Sequence, residues 1–152
     1  MTARSLHTAM AIVLLAVCSS ARTNEEPLDS LKTRAENARP QEQPHLFATI
    51  ARREVNEADH FYTAGDLPNA TKAVDELVHY AARSAEAAQK TGKQLKSTEI
   101  LLRETARRLD DVSKTLNFED RPYVEAAVKQ VEKSRQQILD HMFGLSPKET
   151  RK

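Results

Sequence analysis

Apolar side chains return at every third or fourth position through most of this chain, which is the spacing of an amphipathic α-helix. Four long segments carry the pattern. The first, about 45–64, places Phe47, Ile50, Ala51, Ala58 and Phe61 on one stripe, and Gly65 stops it. The second, about 67–90, starts beside Asp66, a ready N-cap, and tolerates Pro68 in its first turn. Its stripe is Ala70, Val74, Leu77, Val78, Ala81, Ala85 and Ala88, and Gly92 follows. The third, about 93–116, has a heptad-like seam of Leu95, Thr98, Leu102, Thr105, Leu109, Val112 and Leu116. The fourth, about 121–143, opens at Asp120-Arg121-Pro122 and carries Val124, Ala127, Val128, Val131, Ile138 and Met142. The links are only a few residues long, so consecutive helices are expected to be antiparallel neighbours. The predicted fold is all-α, an antiparallel up-and-down bundle of four main helices over residues 45–144.

The flanks break the pattern. Residues 22–44 read as a polar tether, in which Leu28, Leu31, Ala35 and Ala38 allow one short helix before Pro40 and Pro44 interrupt it. Residues 145–152 read as a disordered tail. At the start, Arg4 precedes an uncharged apolar run from Ala9 to Val17, followed by Ser19-Ser20-Ala21. A basic start, a short apolar run and a small-residue exit describe a secretory signal peptide over residues 1–21, and hence export to the periplasm or the extracellular space. The run is short for a membrane span, which takes about 20 apolar residues. Cys18, the only cysteine, leaves a second route open, a lipoprotein anchored through that residue, although Val17 is larger than the small residue expected before an acylated cysteine. A cut after Ala21 leaves no thiol or disulfide in the processed chain.

Composition narrows the functional classes. Lys and Arg number 23 against 22 Asp and Glu, so no long-range field draws the chain to nucleic acid or anionic lipid. Arg103, Arg107 and Arg108 form a basic run on the third helix, but Glu99 and Glu104 stand four residues before Arg103 and Arg108. That spacing predicts helix-stabilising ion pairs worth about 0.2–0.5 kcal/mol each, without interleaved aromatics to stack bases. Gly-rich phosphate loops, paired-cysteine motifs and nucleophile elbows are missing from the sequence, so no enzyme and no cofactor is expected. Membrane contact is expected only through the signal peptide or a lipidated Cys18.

Two Glu-x-x-His pairs, Glu57 with His60 and Glu76 with His79, have the spacing that di-iron bundles use to aim a carboxylate and an imidazole at a shared metal. Here both histidines fall away from the apolar stripes, which favours solvated surface residues, with a metal- or small-ligand-binding bundle as the alternative function. Glu54 interrupts the first stripe between Ala51 and Ala58, and Arg135 the fourth between Val131 and Ile138. In a bundle whose neighbours follow chain order the two stand at about 18 and 22 Å from one end. They are therefore expected to form an inward ion pair, whose breakage costs about 3–5 kcal/mol if buried. Ile100, Leu101 and Tyr80 flank the stripes and could form a dimer or partner surface. The leading functional expectation is a non-catalytic envelope protein that binds another protein or itself.

Two resemblances accompany this reading. Tyr62-Thr63-Ala64-Gly65-Asp66-Leu67-Pro68-Asn69-Ala70, with Tyr80-Ala81, resembles the middle of a tetratricopeptide repeat, and without a second copy 34 residues on it implies only the local hairpin. The stretch from about 45 to 144, including Gly92-Lys93-Gln94-Leu95-Lys96-Ser97-Thr98-Glu99-Ile100 and Asp120-Arg121-Pro122, is similar to small exported α-helical proteins of soil bacteria. That likeness implies the helical fold and no activity.

Overall fold

The computed structural model describes residues 25–145, and these are all-helical, with no strand among them. The proposed signal peptide, Cys18 and the tail from 146 onward lie outside the described residues. Five helices follow one another: α1 (Leu28–Asn37), α2 (Gln43–Ala64), α3 (Leu67–Thr91), α4 (Leu95–Thr115) and α5 (Arg121–Met142). No helix among them is long and apolar enough to cross a membrane.

Local chemistry sets most of the boundaries. Gly65 ends α2 in the left-handed region at φ 76°, where a Cβ is costly, and its N–H returns to the last turn of the helix. Asp66 then caps α3 by accepting from the Asn69 N–H, and Pro68 falls inside the first turn. Pro44 occupies the same early position in α2, so that helix starts at Gln43 rather than His45. The α3–α4 link holds two left-handed residues, Gly92 at φ 63° and Gln94 at φ 55°, and the second delays α4 to Leu95. Asp120 occupies the N-cap position of α5 without a side-chain cap bond. Asn117 does that work instead, its Oδ1 accepting from the N–H groups of Glu119 and Asp120.

The helices pair in a different order from the one expected. α2 packs on α3 and α4 packs on α5, as the short turns require, but α2 also lies beside α4 and α3 beside α5. α3 and α4 meet only sparingly although three residues join them, and α2 and α5 stand diagonally across the bundle, with no backbone approach within 8 Å. Cross-helix bonds show that α3 and α5 run parallel. Tyr123 bonds Asp75, and Gln89 Nε2 donates to the Gln137 carbonyl at 2.9 Å, both with a sequence offset of 48. The expected ring of sequential antiparallel neighbours is thus corrected to two hairpins laid side by side.

Small side chains allow the tightest approach, between α2 and α3. Ala48, Ala51 and Ala58 face Ala73, Ala81, Ala85 and Ala88, all buried. Leu77, Leu102, Leu109, Val124, Val131 and Ile138 fill the centre. Met142, expected on the α5 stripe, is instead 38% exposed, because the stripe drifts off the core in the last turn. α1, the short helix of the tether, covers a second and smaller cluster in which Leu31 and Ala35 meet Phe47 and Ile50.

Candidate functional site

The most unusual chemistry in the interior joins α1, α2 and α3. Glu54 on α2 is only 3% exposed, and the ammonium of Lys32 on α1 lies 2.6 Å from its Oε1. The approach is off the line of a good hydrogen bond, which leaves that oxygen without a conventional donor. Lys32 directs its better-aligned bond to Glu76 on α3. One ammonium therefore serves two carboxylates, and the trio carries one negative charge in excess when all three ionise.

The three groups respond differently. Burial pushes the Glu54 carboxyl up to about 7. Lys32 holds it partly back, and neighbouring Glu76 pushes the same way as burial. Burial also raises Glu76, but it is more exposed and bonds Lys32 directly, so its net shift is below the usual carboxylate value. For Lys32 burial acts downward, yet the two carboxylates outweigh it and hold the ammonium charged. The arrangement lets Glu54 keep a proton near neutrality while Lys32 and Glu76 remain an ion pair. A second clasp ties α1 further along, where Arg83 Nη2 donates to Glu36 at 2.8 Å and the Arg83 guanidinium lies over the Phe47 ring, 4.1 Å from its centre.

The expected Glu54–Arg135 pair does not form. α2 and α5 are diagonal, and the Arg135 side chain turns to the α4 side of its helix. Its Nε donates to Glu99 at 2.7 Å and its Nη1 to Glu132 at 3.0 Å. This also corrects the helix-surface pairs expected on α4. Glu99 is buried against α5 instead of pairing with exposed Arg103, and Glu104 reaches Arg52 on α2 at 3.8 Å instead of Arg108.

The Glu-x-x-His residues do not assemble as a metal set. Glu57 and Glu76 line one shallow groove with Lys32 and Lys72. His60 and His79 are exposed and sit beside the rings of Phe61 and Tyr80. Among the described residues no three His, Cys, Asp or Glu side chains gather as a metal site.

The apolar surface also differs from expectation. Leu101 is buried, and Tyr80 packs on Phe47 with ring centres 6.0 Å apart, so these residues build core rather than a docking face. The large apolar side chains exposed among the described residues are Leu67, Phe118, Tyr123, Met142, Phe143 and Leu145. Every one of them lies at an end of the bundle, three at each. Sequence periodicity set Met142 inward on the α5 stripe and missed the others, which fall in turns and at helix termini, where no stripe is defined.

No protein-family model matches the chain, and no curated protein or solved structure matches it significantly.

Proposed function

We propose that this protein is an exported, non-catalytic helical bundle that works in the cell envelope by binding protein, through the apolar ends of its rods. The observation that carries the binding half is the confinement of exposed large apolar side chains to the two ends, with Phe118 at 87% and Phe143 at 69% exposure. Aromatic side chains held in solvent are costly to display and contribute strongly when a partner covers them. The sides of the bundle, by contrast, are dressed with charged residues. Export is supported by Arg4, the apolar run to Val17 and the Ser19-Ser20-Ala21 exit, which predict a processed chain starting at Arg22, with acylated Cys18 as the other possible start.

Fractionation of the native cell and N-terminal sequencing test the export half; a full-length chain in the cytosol would defeat it. Photo-crosslinking residues placed at Phe118 and Phe143, with Lys129 on the exposed side of α5 as control, test the binding half. Adducts from either end and none from the control are expected. No adduct from either end in envelope extracts would remove the proposal.

A further inference from the structure

The two ends differ in charge as well as in position. At one end meet the α2–α3 turn and the α4–α5 turn, held together where Tyr123 bonds Asp75. The segments flanking these turns, residues 59–75 and 110–125, hold eight Asp and Glu against three Lys and Arg, a net charge of −5. Phe118 stands at the tip. The Asn117 side chain, accepting from Glu119 N at 3.1 Å and Asp120 N at 2.9 Å, locks the turn that presents it. Leu67 and Tyr123 are its apolar companions, at 44% and 40% exposure.

The opposite end holds the α3–α4 turn and the C-terminus of α5, brought together where Gln89 bonds the Gln137 carbonyl. Lys90, Lys93 and Lys96 are all exposed there, with no carboxylate in the sequence between Glu86 and Glu99. Met142, Phe143 and Leu145 form its apolar part. Over stretches of matching length, residues 83–99 and 130–145, this end holds six Lys and Arg against four Asp and Glu, a net charge of +2. Each end thus offers three apolar side chains, one set on an acidic end and the other on a modestly basic one.

We infer that the protein associates head to tail, the acidic Phe118 end of one copy seating on the Lys90–Lys96 end of the next. This rests on the protein-binding reading above and names the partner as a second copy. Charge complementarity selects the arrangement. Two acidic ends brought together repel, whereas acidic on basic attracts and sets the orientation. Such a contact joins two different patches, so it repeats along a row of copies unless the rotation closes a ring. Four helices spaced 8–10 Å apart give an end face about 20 Å across, or about 800 Å² buried in total, which belongs to weak and reversible interfaces.

Sedimentation velocity over a wide concentration range, at low and high salt, tests this on the purified protein. At low salt the sedimentation coefficient should rise with concentration, and high salt should suppress the rise because the attraction is screened. Phe118→Ser and Phe143→Ser should each weaken association about tenfold, the size of one aromatic anchor. Lys93→Glu with Lys96→Glu, and separately Glu119→Lys with Asp120→Lys, which takes the acidic end from −5 to −1, should each weaken it at least about tenfold, and mixing the two double variants should restore it. Circular dichroism checks that each variant keeps its helices. A wild type that stays monomeric at low salt overturns the inference, as does association that neither reversal weakens or that is not restored on mixing. If the monomer still crosslinks to another envelope protein through Phe118, self-association falls while the protein-binding reading stands.

Discussion

Lys32 and Glu54 meet at 2.6 Å across the α1–α2 contact, and the same ammonium also holds Glu76 on α3. With the Arg83–Glu36 clasp, this contact holds a ten-residue helix in place. Isolated helices of this length are marginal in water, so α1 depends on what it touches. Its apolar share is small, chiefly Leu31 and Ala35. Replacing Lys32 by Met leaves Glu54 without a cation and Glu76 with only Lys72, 3.9 Å away, and should destabilise the protein by about 3 kcal/mol at neutral pH. Adding Glu54→Leu to that variant should recover much of the loss, since a buried apolar side chain needs no counter-ion. Urea denaturation of the single and double variants measures both; additive losses would mean that the contact contributes nothing.

The same cluster imposes a pH dependence. Glu54 rises from its ordinary 4.5 to about 7 in the folded protein, so between those values the folded chain binds the proton more tightly than the unfolded chain does. Stability from this group is full below about pH 4.5 and is lost as pH rises through 7, with roughly 3 kcal/mol as a ceiling. Glu76 shifts the other way, so its contribution is present above its ordinary value and lost as pH falls below it. The cluster should therefore be most stabilising near pH 5. Glu54→Gln, which cannot ionise, should flatten the decline between pH 5 and 8 and be the more stable protein at pH 8. Thermal unfolding across that range checks it, and an unchanged slope in Glu54→Gln would count against the assignment.

Arg135 separates the observed topology from the expected one. It bonds Glu99, whose side chain is 10% exposed, and has no helix–helix contact with α2. Arg135→Ala should cost about 1–3 kcal/mol by stranding the Glu99 carboxylate. A double-mutant cycle of Arg135 with Glu99 should show coupling above about 0.5 kcal/mol, whereas one of Arg135 with Glu54 should be additive. Coupling in the second cycle would restore the arrangement in which chain order sets the neighbours.

Much of the fold was legible because it depends on local, repeating signals. The Gly65-Asp66-Leu67-Pro68 turn and the stripe on α3 need only one chain segment to be read, and both form as expected. Which helices stand side by side is a tertiary choice. Chain order suggested that α3 and α4 touch, but Gly92 and Gln94 in left-handed conformations carry the link across the bundle. That misreading paired Glu54 with the wrong cation. The right one was visible in kind: Lys32 completes the Leu28, Leu31, Ala35 stripe at helical spacing, as Glu54 does on α2. Two opposite charges, each set in an inward stripe, are a stronger pairing signal than estimated depth along the rods.

A last prediction concerns the seam of α4, where two threonines sit among leucines. Both are fully buried. The Thr105 hydroxyl donates to the Leu101 carbonyl at 2.7 Å, one helical turn back, whereas the Thr98 hydroxyl has no partner. Valine has nearly the same shape, so Thr98→Val removes an unsatisfied polar group without opening a cavity and should stabilise the protein by about 1 kcal/mol. Thr105→Val exchanges a made hydrogen bond for a methyl and should leave stability unchanged or slightly lower. Because α4 packs on both α2 and α5, the gain at Thr98 should appear as a higher denaturation midpoint with an unchanged slope against urea. Equal effects from the two substitutions would show that the Thr98 hydroxyl is satisfied after all.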